Sequence, residues 1–98
     1  MERDSVGGVA CLRFEPAVEI TADVLLVHGL WGGSWVWDRF APRLARRGYR
    51  GWAIDLAGSA ESHRQDDVGT LSLNDHLAEV YAAVDALDHV DRPTIVIG

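Results

Sequence analysis

Lysine is absent: all nine basic residues are arginine, set against fifteen acidic ones for a net charge of −6. That balance excludes the basic face on which nucleic-acid binding depends. Arg39, Arg43, Arg46 and Arg47 cluster at helical spacing, where they suit a helix C-terminus and a solvated face. Cysteine is almost absent too. Cys11 stands alone, so no internal disulfide can form. In a strand-like stretch it reads as a small buried hydrophobe rather than a reactive thiol. No run approaches the roughly 20 apolar residues that a membrane span needs. Met1-Glu2-Arg3-Asp4 opens with charges and no apolar stretch behind them, unlike a secretion signal. These absences point to a soluble, cytoplasmic protein with neither nucleic acid nor membrane as partner. The histidines have no companions at ligand spacing, so no metal is expected, and no cofactor either.

The 98 residues, 48% of them hydrophobic and 24% charged, are in the range of one globular unit or part of one. A chain of that length buries only a thin core. Along it, Val9 to Phe14 and Ala17 to Ile20 read as a strand pair at a sheet edge, with Pro16 tolerated between them. Val24 to Val27 is continuously apolar, as in a parallel strand covered on both faces. A glycine-rich loop follows from Gly29 to Ser34. A helical segment lies within Trp35 to Arg47. Trp37, Phe40, Ala41, Leu44 and Ala45 form its stripe, Pro42 marks a late first turn, and Gly48 is the stop. Tyr49 to Leu56 returns to strand character, and Ala57 to Thr70 is a polar loop. Ser72 and Asp75 resemble a helix-start capping pair. From there Leu73, Leu77, Val80, Tyr81, Val84 and Leu87 trace one helical face. Pro93 breaks the chain before a second buried-type strand, Thr94 to Ile97. The order strand, helix, strand, helix, strand is a βαβαβ unit with parallel pairing, placed after an N-terminal strand pair.

The chemistry concentrates in Val27-His28-Gly29-Leu30-Trp31-Gly32-Gly33-Ser34-Trp35-Val36-Trp37-Asp38, where a buried strand runs into a loop of three glycines. Ligands of doubly wound sheets bind beyond the carboxyl ends of strands. Glycines there let backbone N–H groups approach a ligand and stabilise a developing oxyanion. This stretch resembles the His-Gly-x loop of the α/β-hydrolases. Its Trp-Gly-Gly-x-Trp-x-Trp continuation resembles the branch holding plant methylesterases and hydroxynitrile lyases. The resemblance continues in Asp55-Leu56-Ala57-Gly58-Ser59-Ala60-Glu61-Ser62, where Ala60 replaces a usual second glycine. It also includes Ser72-Leu73-Asn74-Asp75-His76, and Thr94 to Gly98 as a fifth strand reaching the first glycine of a Gly-x-Ser-x-Gly elbow.

The resemblance implies an α/β fold, the N-terminal portion of an α/β-hydrolase sheet with strand order 1-2-4-3-5, ending after the fifth strand. Residues 1–98 would then be one incomplete domain, with the nucleophile, acid and base all beyond Gly98. It implies that Leu30 donates its backbone N–H to an oxyanion, that His28 and Gly29 shape the loop, and that Trp31 borders the substrate pocket. The lyases carry Thr at the position of Gly29, so Gly29 favours ester hydrolysis. The implied substrate is a small carboxylic ester or related acyl compound. A lyase, dehalogenase or epoxide hydrolase parent shares the fold, and a truncated remnant without activity is the non-enzymatic alternative. An unfinished sheet with an open fifth strand is expected to be poorly soluble by itself.

Other residues take ordinary roles. His28 is read as a loop brace bonded to nearby backbone, and His63, His76 and His89 as solvated. Ser34, Ser59 and Ser62 lack the elbow context, Asp55 is structural, and Trp37 belongs to the core. A dinucleotide-binding site is excluded because the glycine spacing fails and Trp31 would crowd the phosphate.

Overall fold

The computed structural model of the chain describes residues 1–29, 32–56, 73–87 and 93–98. Five strands and two helices are described: β1 (Glu2–Val6), β2 (Val9–Phe14), β3 (Ala22–Val27), α1 (Ala41–Arg46), β4 (Tyr49–Ile54), α2 (Leu73–Ala86) and β5 (Thr94–Ile97). A 3₁₀ turn, Ser34–Trp37, precedes α1. The strands form one sheet in the order β1-β2-β4-β3-β5, the order that the resemblance to the α/β-hydrolases implies. β1 and β2 pair antiparallel, as do β2 and β4, whereas β3 is parallel to both β4 and β5.

Side-chain alternation on β3 accounts for its unbroken apolar run. Leu25 and Val27 face one core with Cys11, Trp52, Ile54, with Val80, Ala83 and Val84 from α2, and with Leu87 just past its end. Val24 and Leu26 face the other, with Phe14, Ala53 and, from α1, Ala41, Leu44 and Ala45. The sheet is thus covered by one helix on each face, and β3 has no solvated side. The ring of Phe14 lies across β4 at Gly51, its register partner, in the space a Cβ there would need. Pro42 falls in the first turn of α1 and Gly48, at φ +90°, ends that segment, both as the sequence indicates.

Two readings need correction. The edge pair is not residues 9–14 with 17–20. Strand β1 is the charged segment Glu2–Val6, and 17–20 is irregular. Gly7 and Gly8, at φ +56° and +79°, form the two-residue loop of a hairpin whose right-handed twist requires positive φ at both positions. Val6 and Val9 flank the turn and are buried, while the other β1 residues are exposed. Helix α2 is also rotated from the face expected. Leu77 and Tyr81 are exposed, at 38% and 64%, whereas Ala83 is buried and Val80 and Val84 of the expected face pack beside it. The reason is close approach: the Cβ position of Gly7 is already taken by the main-chain carbonyl of Ala82. Only a helix presenting its smallest side chains can sit so near the hairpin turn.

The proposed capping residue Ser72, the loop segment Ala57–Ser62, His63 and His89 lie outside the described residues. Among those described, no helix is long and apolar enough to cross a membrane.

Candidate functional site

β3 lies between β4 and β5, so the chain leaves its carboxyl end for a neighbour on one side and later returns to the other. In open α/β sheets, ligands bind at such a reversal, outside the carboxyl ends of the parallel strands. The register pairs Val27 with Ile54 and Leu26 with Ile97. The loop following Val27, the residues following Ile54 and Gly98 therefore emerge side by side.

The loop is held at both ends by consecutive residues of one neighbour. At its start, the buried His28 ring accepts the N–H of Leu56 at Nε2, 3.1 Å away. An amide N–H can only donate, so Nδ1 carries the ring proton and donates it to the Gly29 carbonyl at 2.7 Å. The same carbonyl accepts the Gly32 N–H at 3.1 Å. Both ring nitrogens are thereby occupied by main chain, which leaves neither for proton transfer. A side chain at Gly32 would press on the ring, its Cβ 3.3 Å from that of His28 and 3.4 Å from Nδ1. At Gly29, by contrast, nothing among the described residues lies within 4 Å of a Cβ. Leu30 and Trp31 lie outside the described residues.

At the far end of the loop, Asp55 is fully buried. Its Oδ1 accepts the Ser34 N–H at 2.7 Å, and its Oδ2 accepts the Ser34 hydroxyl at 3.1 Å. Arg3 of β1 adds a charge-assisted bond from Nη1 to Oδ2, also 2.7 Å. The Asp55 N–H donates to the Ala10 carbonyl at 2.8 Å, fixing this residue to β2. Ser34 is spent in this network and buried, which excludes it as an exposed nucleophile. Sequence reasoning did not find Arg3, because nothing local marks a surface arginine as the partner of a carboxylate 52 positions away.

Trp35 is exposed at 58%, beside half-exposed Val36 and Phe40. Trp37 packs on the core around Phe14 and meets the ring of Phe40 at 5.8 Å. Its Nε1 is buried with no hydrogen-bond partner among the described residues. Burial pushes the Cys11 thiol up from 9.0 to about 12, with the Asp4 and Asp55 carboxylates adding to the rise. At neutral pH it is an inert thiol. No cluster of three or more potential metal-binding side chains occurs among the described residues.

Comparison with known proteins agrees with this architecture. Residues 24–98 match the model of the alpha/beta hydrolase fold family. Esterase PIR7B of Oryza sativa subsp. japonica is 47% identical over 47 residues, covering 47% of this chain and 18% of that protein. The (S)-hydroxynitrile lyase of Manihot esculenta is 37% identical over 46 residues, again 47% of this chain and 18% of that protein. The chain thus spans under a fifth of the length of these relatives. Among solved structures, a thioesterase domain from the curacin biosynthetic pathway superposes with a TM-score of 0.77 at 26% identity, over 99% of this chain and 34% of that one. A family match over three quarters of the residues, on a sheet of the expected strand order, places this chain in the α/β-hydrolase fold family.

Proposed function

We propose that the protein carrying this chain hydrolyses carboxylic esters or related acyl substrates with a Ser-His-acid triad, and that residues 28–34 supply part of its oxyanion hole. The observation that carries this reading is the parallel register of β3 and β5. Pairing of Leu26 with Ile97 brings Gly98 beside the start of the His28 loop. A nucleophile two residues past Gly98, as in a Gly-x-Ser-x-Gly elbow, would rise next to that loop. In the proposed reaction the serine attacks the acyl carbon, a histidine takes its proton, and the oxyanion meets the backbone N–H of Leu30. His28 and Gly29 shape the loop and Trp31 borders the acyl group. Serine, histidine and acid are all assigned to residues beyond Gly98, so residues 1–98 alone would not turn over substrate. Neither metal nor cofactor takes part, and the cytoplasm is the proposed location.

Gly29 supports hydrolysis over cyanohydrin cleavage. Among the described residues nothing lies within 4 Å of a Cβ at Gly29, and the lyase branch fills the corresponding position with Thr. The test is turnover of p-nitrophenyl acetate by the protein expressed from its native reading frame, with labelling by a fluorophosphonate. Turnover that the fluorophosphonate abolishes is the expected result. Absence of both, or cleavage of mandelonitrile in place of the ester, would overturn the proposal.

A further inference from the structure

The Asp55 network has a feature that a loop brace alone does not require: its counter-charge comes from the first strand of the chain. Asp55 is buried to 0% exposure whereas the Arg3 side chain is 47% exposed. A buried carboxylate without a cationic or hydrogen-bonding partner is costly. Arg3 supplies the charge and, with the Ser34 hydroxyl on the same oxygen, ties the carboxylate to β1 as well as to the loop. With Nη1 bound to Oδ2, the other oxygen, Oδ1, points at the Ser34 N–H. Leu56, the next residue, holds His28. Residues 28 and 34, which bound the glycine loop in sequence, are therefore both fastened to the pair Asp55-Leu56.

We infer that Arg3 and Asp55 are positioning residues for the oxyanion loop, so that the N-terminal hairpin is a working part of the site. The inference rests on the ester-hydrolase reading above. Donors to an oxyanion act because they are already in place when charge develops, and small misplacements of reacting groups are expensive in rate. Loosening the Arg3–Asp55 contact removes the one partner of the carboxylate, among the described residues, that lies outside the loop, so that Asp55 and the Ser34 end bound to it can drift together. The donor then meets the oxyanion poorly while the binding of ground-state ester is little altered.

The test compares Arg3→Met, Arg3→Lys and Arg13→Met in the protein expressed from its native reading frame. Arg13 belongs to the same hairpin but, among the described residues, its ion pairs are with Glu2, Asp4 and Glu15 at the surface, so its variant controls for general loosening of the hairpin. Arg3→Met is expected to lower kcat for p-nitrophenyl acetate about tenfold with KM within about twofold. Arg3→Lys restores most of the loss, and Arg13→Met leaves kcat unchanged. In parallel, hydrogen exchange at the Ser34 amide is expected to speed up about tenfold in Arg3→Met, with the β3 amides unaffected. Unchanged Ser34 exchange overturns the inference, as does faster exchange with unchanged kcat, or an equal loss in Arg13→Met. If the parent protein turns over no ester, the ester-hydrolase reading has failed, and Ser34 exchange still decides whether Arg3 holds the loop.

Discussion

Gly7 and Gly8 provide a paired test of how closely α2 approaches the hairpin. Both have positive φ, +56° and +79°, so alanine at either position carries the cost of a left-handed backbone, about 1–2 kcal/mol. Their surroundings differ. Among the described residues, a Cβ on Gly8 meets nothing within 4 Å, whereas one on Gly7 falls on the Ala82 carbonyl with the Ala83 N only 2.9 Å away. These are main-chain atoms, so no rotamer change relieves the clash and the helix itself must move. Overpacking of that kind adds about 1–3 kcal/mol. Gly7→Ala should therefore destabilise by about 2–5 kcal/mol and Gly8→Ala by about 1–2 kcal/mol. In urea unfolding, with a slope near 1–2 kcal/mol/M, the two midpoints should differ by about 1 M. Trimming Ala82 to Gly should rescue nothing, since the obstacle is backbone. Equal losses in the two variants, or rescue by Ala82→Gly, would refute the close packing of α2 on the turn.

Three further outcomes are expected. Cys11 should resist iodoacetamide at pH 8 in the folded protein and react promptly in urea. Because its folded value of about 12 lies above the ordinary 9.0, its contribution to stability is complete below pH 9 and declines as pH rises towards 12, a loss that Cys11→Ala should abolish. Gly51→Ala should destabilise by about 1–3 kcal/mol, because its Cβ collides with the Phe14 ring, and Phe14→Leu should recover part of the loss in a double-mutant cycle. Gly29→Thr should leave the melting temperature within a few degrees of the parent, since a Cβ there meets nothing within 4 Å among the described residues. A large fall would show that the loop is packed there.

How much of this could be read from the sequence depended on whether the governing contact was local. The unbroken run Val24–Val27 announced a strand covered on both faces, and two helices do cover it. Pro42 and Gly48 gave the limits of α1 because capping is decided within a turn or two of chain. Strand β1 escaped notice because Glu2, Arg3, Asp4 and Ser5 face solvent and carry no apolar alternation. The adjacent Gly7-Gly8 pair was the available signal, a two-residue hairpin loop. The face of α2 was misplaced because periodicity counts large residues, whereas the site of contact on α2 demanded a small one, Ala83. The His28 loop was visible as a motif. Its fastening to Asp55 and Leu56 was not, since it joins residues 21 and 28 positions apart.

The strand order also has a consequence in time. β3 finds its first partner, β4, within about 27 residues, but its other neighbour, β5, pairs Thr94 with Asp23, about 71 residues downstream. At a synthesis rate of roughly 5–20 residues per second, β5 follows β3 out of the ribosome by roughly 4–14 s. Throughout that interval one flank of the most apolar strand presents unpaired backbone groups to whatever lies nearby. A nascent chain of this topology spends seconds as a sticky half-sheet, so the yield of folded protein should respond to translation rate and to chaperones that bind extended apolar segments.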